Sequence, residues 1–335
     1  MLSDSFATVV VDVDGAVTSQ IELIAATHAQ VVHLPHTDRH RYWSEPAEFN
    51  ELLADVSAAV HADRIPAIFY GSGDYHHLAL LGLNIVRRPA ILIVFDNHTD
   101  WWSLPRKQYY MGSWVAQAVD DDLTNHVLMF GVDGDLGMTP SMPFPMGEFS
   151  HRLDLVASGK IETYSRTVEE TSILGRFEAS NPAMSFVPGI ATTTVKWKPF
   201  CNESGLLQLI EDRLAALPAG PVYISVDKDV LTAVENFSAY GSKSGQMTVA
   251  ELTAAIELIC ERRELLGIDV CGDGSKTRKF ASLAKEAMSA IGTADYTDED
   301  YASSGNADLN AKVNLAILNA AKNGIQRRPA QPIEK

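Results

Sequence analysis

Apolar runs of strand length recur along the chain, and most are separated by stretches in which apolar residues return every three or four positions. The runs are Thr8 to Val13, Ala67 to Tyr70, Ala90 to Phe95, His126 to Val132, Val222 to Val226 and Leu265 to Val270. Pro46 to His61, Glu203 to Leu217 and Thr248 to Glu264 carry the helical period, with Ser44 a candidate N-cap for the first of them. This alternation predicts an α/β chain, a three-layer α/β/α domain around a mostly parallel, doubly wound sheet. At 335 residues, 46% of them hydrophobic, the chain is long enough to bury a large core of that kind. In such sheets ligands bind beyond the carboxyl ends of the strands, so the residues after each apolar run carry the functional information.

A single domain is expected over residues 1–325, with a long loop excursion at about 134–200, where Met138 to Gly147 is rich in glycine, proline and methionine. Asp308 to Lys322 reads as a terminal helix, and 326–335 as a disordered tail. Internal repeats are not apparent.

Charge and cysteine usage narrow the class of partner. The net charge of −16 repels phosphate backbones and anionic lipid, which argues against nucleic acid and membrane surfaces. No apolar stretch reaches the length of a membrane span, and Met1 to Phe6 opens no targeting pattern, so a soluble cytoplasmic protein is expected. Cys201, Cys260 and Cys271 lack C-x-x-C spacing, and Cys260 and Cys271 read as buried structural thiols.

Three of the apolar runs end in chemistry. Ala90 to Phe95 leads into Asp96, His98 and Asp100; side chains two apart on an extended chain point the same way, about 6.6 Å per step, so these three converge. Val222 to Val226 leads into Asp227 and Asp229, again on one face, and Ala67 to Tyr70 leads through Gly71 to Tyr75 into His76 and His77. Four carboxylates crowded at a desolvated sheet edge repel one another and call for a compensating cation. Asp96, Asp100, Asp227 and Asp229, with imidazole nitrogens from His76 and His98, make a hard oxygen and nitrogen set suited to two manganese ions, other divalent metals being possible. In a two-metal site of this kind a bridging water ionises near neutral pH. Each piece alone has an ordinary reading: D-x-H and D-x-D pairs commonly cap helices or sit in solvated turns, and tandem histidines are usually partly exposed. Only their conjunction at three strand ends points to metal.

These segments, in this order, resemble the motifs of the arginase and agmatinase superfamily, the ureohydrolases, over about Ala7 to Asp273. Ser72-Gly73-Asp74-Tyr75-His76-His77 is similar to the family's G-G-D-H-S with Tyr75 inserted, Asp96-Asn97-His98-Thr99-Asp100 to its D-A-H-x-D, and Ser225-Val226-Asp227-Lys228-Asp229 to its S-x-D-x-D. Leu78-Ala79 after the histidines favours His76 over His77 as the ligand. The resemblance implies an arginase-like fold with one metal on His76, Asp96, Asp100 and Asp227 and the other on His98, Asp96, Asp227 and Asp229. It implies Asp100 as a catalytic residue hydrogen-bonded to a bridging hydroxide that attacks a guanidinium or related carbon. Hydrolysis of a non-peptide C–N bond, a small-molecule substrate and a homo-oligomer, trimer or hexamer, follow as expectations.

The sequence also departs from the pattern. The glutamate that pairs with the substrate guanidinium is replaced by Gly272, with Asp273 adjacent as an imperfect substitute. The segment where the family carries a proton-shuttling histidine reads Tyr110-Met111-Gly112-Ser113-Trp114, and Thr232-Ala233 stands where Asp-Pro is usual. His77, Tyr75 and Asp273 are the remaining candidates for proton transfer. The metal centre reads as retained and the pocket as rebuilt. Trp101, Trp102, Tyr109, Tyr110 and Trp114 either line that pocket or pack beneath a loop. His33, His36 and His40 fall in a polar loop and are expected at the surface.

Two other readings remain. Val9 to Val13 followed by Asp14-Gly15 resembles the nucleophile motif of haloacid dehalogenase-type phosphatases, with Asp12 as nucleophile, Asp14 as acid and base, and one magnesium. That reading leaves the three charged strand ends unexplained. The other is a non-catalytic metal- or ligand-binding protein on the arginase fold.

Overall fold

The computed structural model describes residues 2–34, 37–103, 108–133, 141–144, 147–174, 176–177, 180–232, 235, 245–274, 281–286 and 306–329. Eight strands form the main sheet: β1 (Phe6–Asp12), β2 (Gln30–His33), β3 (Ile65–Phe69), β4 (Ala90–Phe95), β5 (Thr124–Phe130), β6 (Ile161–Tyr164), β7 (Val222–Asp227) and β8 (Leu265–Cys271). Every neighbouring pair runs parallel, in the order β6-β5-β4-β7-β8-β3-β1-β2. All residues of β4 and β7 are buried, as continuous apolar runs covered on both faces require.

The helices are α1 (Ile21–Thr27), α2 (Pro46–Ala59), α3 (Ala79–Val86), α4 (Trp114–Asp120), α5 (Leu153–Ala157), α6 (Glu203–Ala216), α7 (Val249–Arg262) and α8 (Asn306–Arg327). α1, α6, α7 and α8 pack in one group, and α2, α3 and α4 in another. Their starts follow from local chemistry. Thr248 and Glu251 satisfy each other's backbone N–H groups in a reciprocal capping box at α7, and Asn202 accepts from Gly205 N at 2.9 Å to open α6.

Strand order decides where a ligand can sit. β3 and β4 follow one another in sequence yet are separated by β7 and β8, which arrive later and fill the gap. The chain has gone outward from β4 to β5 and β6 before it returns, so the order reverses around β7. Crevices at such reversals, beyond the carboxyl ends, are the binding sites of doubly wound sheets. The ends of β3, β4, β7 and β8 meet there.

The structure differs from the sequence expectation in four places. Within the stretch expected to be a loop excursion, Ile161–Tyr164 is an edge strand of the main sheet. Glu170–Leu174, Ser180–Asn181, Met184–Pro188 and Thr192–Trp197 form a separate four-stranded antiparallel sheet. Asn181 ties it to the main body by donating from Nδ2 to Val156 O at 2.6 Å and Ile161 O at 2.9 Å. Residues 134–140 lie outside the described residues. Ser44 does not cap α2; Glu45 occupies that position, and the Ser44 hydroxyl lies 2.9 Å from both His40 Nδ1 and His77 Nε2. His40 is therefore buried, whereas His33 is exposed beside Asp12 and His36 lies outside the described residues. Finally, α8 continues to Arg327, two residues into the expected tail, of which 330–335 lie outside the described residues. Among the described residues no helix is long and apolar enough to cross a membrane.

Candidate metal centre

Two adjacent strands, β4 and β7, deliver the acidic side chains, and the segment after β3 delivers His76. Phe95 on β4 is in register with Val226 on β7, so Asp96 and Asp227 emerge side by side at the sheet's end. The chain beyond β4 turns through Asp100, whose φ of 47° puts a non-glycine residue in the left-handed region and bends its carboxylate back toward His76. His76 comes from the short 3-10 segment Gly73–Leu78 after β3, wholly buried between β3 and α3.

The donor atoms converge. His76 Nδ1 lies 3.1 Å from Asp96 Oδ2, 2.9 Å from Asp100 Oδ2 and 3.7 Å from Asp227 Oδ2. His98 Nδ1 lies 2.8 Å from Asp229 Oδ2 and 3.7 Å from Asp96 Oδ1. Among the described residues three groups have metal-ligand spacing: His76 with Asp96 and Asp100, Asp96 with His98 and Asp229, and His76 with Asp227 and Cys271. All six predicted metal-site residues are thus brought together. His76 Nδ1, Asp96 Oδ2 and Asp229 Oδ2 are buried and make no hydrogen bond despite these short separations. They crowd one buried space at 2.8 to 3.1 Å without a well-aligned hydrogen bond, as donors gathered around ions do. Four carboxylates and two neutral imidazoles balance two divalent cations in charge, so the donor set fits a binuclear centre in number and hardness.

The electrostatics carry the same message. Burial pushes the Asp227 carboxyl well above the usual carboxylate range, with Asp229 and Asp96 adding to it. Burial also raises Asp100, to about 7, with Asp96 reinforcing the shift. Burial works against charge on His76, but Asp100 and Asp96 outweigh it and hold the imidazole well above its ordinary value. His98 is raised likewise against partial burial, by Asp229 and Asp96. The cluster therefore draws positive charge to itself.

A supporting layer fixes the ligands. His76 Nε2 lies 3.1 Å from Ser225 Oγ, and Ser225 Oγ donates to Asp269 Oδ1 at 2.8 Å, which also accepts from the Tyr70 hydroxyl. Such chains orient ligating imidazoles. Backbone N–H groups hold the carboxylates: Asn97 N donates to Asp229 Oδ1 at 3.1 Å, His98 N to Asp96 Oδ1 at 2.7 Å, and Asp229 N to Asp227 Oδ1 at 3.0 Å. Trp114, buried and tilted over His76 with ring centroids 4.7 Å apart, donates from Nε1 to Asp100 Oδ2 at 2.7 Å. Of the aromatic cluster, then, Trp114 belongs to the wall of the centre. The parts of Tyr70, Ser225 and Asp269 were missed in the sequence, although period two from Asp227 back to Ser225 places the serine on the ligand face.

No protein-family model matches the chain. Over 238 residues, 67% of this chain and 70% of the other, it is 22% identical to an uncharacterised protein of Thermotoga maritima. Among solved structures it is similar to proclavaminate amidino hydrolase from Streptomyces clavuligerus, with a TM-score of 0.55, 13% identity and coverage of 96% of this chain and 92% of that one. The formimidoylglutamase of Bacillus subtilis gives 0.53, 13%, 98% and 93%, and the arginase of Bacillus caldovelox 0.52, 15%, 94% and 97%. The chain has the arginase fold.

On that arginase fold the remaining predicted residues are placed as follows. Gly272 has φ 85°, and a Cβ there would run into Asp227 Oδ1, so the position where the arginase pattern carries glutamate has no room for a side chain. Asp273 is fully buried and bound by Lys228 Nζ, by Gln20 Nε2 at 2.9 Å and by Asn314 Nδ2 at 3.2 Å, which turns its carboxylate into the interior. His77 reaches Ser44 rather than the ligand cluster; burial first, then His40 and Lys285, hold it well below its ordinary value. Tyr75 is buried with Arg41 5.3 Å over its ring. Asp12 accepts from Thr18 Oγ1 at 3.0 Å, while Asp14 accepts from Ala16 N at 3.0 Å and Ser72 N at 3.1 Å, shaping turns.

Proposed function

We propose that this protein is a binuclear metal-dependent hydrolase that cleaves a C–N bond in a small guanidino, amidine or related molecule. The observation that carries this reading is the convergence of His76, Asp96, His98, Asp100, Asp227 and Asp229, with buried ligand atoms that make no hydrogen bond. The similarity in fold to an amidino hydrolase, a formimidoylglutamase and an arginase supports the substrate class.

His76, Asp96, Asp100 and Asp227 would hold one ion and His98, Asp96, Asp227 and Asp229 the other, manganese being the first choice. Such a pair supplies Lewis acidity and ionises water near neutral pH. The chain's own residues do the rest. Ser225 and Asp269 fix the His76 ring, Trp114 holds Asp100 at one oxygen, and Asp100 would accept a hydrogen bond or proton from the attacking water. The proposal includes cytoplasmic location and a homo-oligomer, trimer or hexamer.

A second reading, a non-catalytic metal or ligand binder, is favoured by Gly272 and by the inward-turned Asp273, which remove the acids that would meet a cationic guanidinium. Stripping the protein with a chelator, reconstituting it with manganese, and screening guanidino, ureido, amidine and phosphate compounds separates the readings. Urea, ammonia or amine release needing about two ions per chain is expected, and Asp227→Ala should abolish both metal retention and turnover. Full activity of Asp227→Ala overturns the assignment. Metal without turnover selects the binder, and phosphate release that needs Asp12 selects the phosphatase.

A further inference from the structure

The row of acidic side chains at the sheet's end continues one strand further. β4, β7 and β8 are adjacent and parallel; Asp96 stands beside Asp227, and Asp227 is in register with Cys271, the last residue of β8. Register partners in a parallel pair present their side chains to the same face, about 4.8 Å apart. Two residues earlier, Ser225 and Asp269 are likewise partners, and their side chains reach His76 and each other. The Cys271 side chain thus lies on the ligand face, fully buried, and its sulfur, a carboxylate oxygen of Asp227 and a ring nitrogen of His76 all fall within 4.8 Å of one another. His76 Nδ1, buried and without a hydrogen bond, lies 3.7 Å from Asp227 Oδ2, the carboxylate beside Cys271.

We infer that Cys271 is a further donor of the metal centre, giving the ion on His76 and Asp227 a sulfur ligand and shifting its preference from manganese toward zinc, cobalt or cadmium. The inference rests on the metal-centre reading above and deepens it. Oxygen donors suit manganese, whereas thiolate selects softer ions. Binding breaks the S–H bond and forms a metal–sulfur bond, the proton passing to buffer, so there is no change of oxidation state. The first ion would then see one imidazole, carboxylates and one thiolate, while the second, on His98 and Asp229, keeps oxygen and nitrogen donors. The two positions should differ in metal preference.

The test is optical and needs no substrate. Full-length protein stripped by chelation is titrated with cobalt(II) alone, and so are Cys271→Ser and, as a control for the exposed cysteine, Cys201→Ser. Expected are the visible d–d bands of bound cobalt in all three, and a near-ultraviolet sulfur-to-cobalt charge-transfer band in the unaltered protein and Cys201→Ser but not in Cys271→Ser. In competition, the zinc-to-manganese affinity ratio should fall about tenfold or more in Cys271→Ser. d–d bands without the charge-transfer band in the unaltered protein overturn the inference and leave the metal centre standing. A charge-transfer band that survives in Cys271→Ser also overturns it. Failure of the unaltered protein to bind cobalt at all removes the centre itself, and this inference with it.

Discussion

Replacing Asp273 by alanine separates a structural from a chemical role for a residue that the sequence offers as catalytic. Lys228 Nζ and the Asp273 carboxylate are both fully buried and in contact. Removing the acid leaves an ammonium with its counter-charge gone, a loss of about 3–5 kcal/mol for buried pairs. Gln20 Nε2 and Asn314 Nδ2 lose an acceptor at 2.9 Å and 3.2 Å. Each such loss is worth about 1 kcal/mol, overlapping the first because Gln20 Oε1 still accepts from Asn314. Burial holds the Lys228 amine below its ordinary value, which eases the loss by letting it shed its proton. We therefore expect Asp273→Ala to lose about 4 kcal/mol, a large part of the total stability of about 5–15 kcal/mol of a typical protein. Urea unfolding of the metal-free protein at neutral pH reads this directly. The double variant Lys228→Met with Asp273→Leu should come back to within about 1 kcal/mol of the parent, since replacing both members of a buried pair is often neutral. A single variant that loses less than about 1 kcal/mol, or a double variant as weak as the single, would refute the pairing argument. Unchanged stability with lost turnover would return Asp273 to the catalytic set.

Other perturbations test neighbouring parts of the site. Burial, with Lys285 and Arg39 near it, lowers His40 to about 4. The unfolded chain then binds a proton that the folded one refuses, so stability falls as pH drops below about 6.5 and the loss levels off below the folded value. At pH 5 this amounts to about 2 kcal/mol; His40→Gln should flatten that part of the urea midpoint against pH, and an unchanged slope would count against the buried placement. Gly272→Ala should cost about 1–2 kcal/mol for a left-handed β-carbon. It should also weaken metal retention by crowding Asp227, whereas unaltered metal content by elemental analysis would contradict the close approach.

Much of the centre was legible because strand periodicity is a local rule. Once Ala90–Phe95 and Val222–Val226 are read as strands, Asp96 and Asp227 at their ends follow; His98 and Asp100 instead lie in the turn beyond β4, with Asp100 at φ 47°, and Asp229 in the 3-10 segment Lys228–Val230, so turns and not an extended chain bring these three to the cluster. His76 was harder to place than Asp96 and Asp227, since a 3-10 segment has no strand alternation and tandem histidines allow either to point inward. What stayed hidden depends on strand order, which no local pattern encodes. That β8 lies beside β7, setting Cys271 against Asp227, emerges only from the topology. The antiparallel sheet at Glu170–Trp197 was masked by glycine and proline interrupting short strands, although Thr192–Trp197 alternates exposed and buried as half-buried strands do. His40 and Ser44 look like loop residues until His77 is known to need a partner.

The Lys228–Asp273 contact joins Gln20, near one end of the sequence, to Asn314, near the other. Lys228 sits between Asp227 and Asp229, so Gln20 and Asn314 brace the strand end that carries both carboxylates. Until α8 brings Asn314 into place, Asp273 and Lys228 lack part of the network that steadies the segment between Asp227 and Asp229, so the packing of a distant helix is written into the geometry of the strand end.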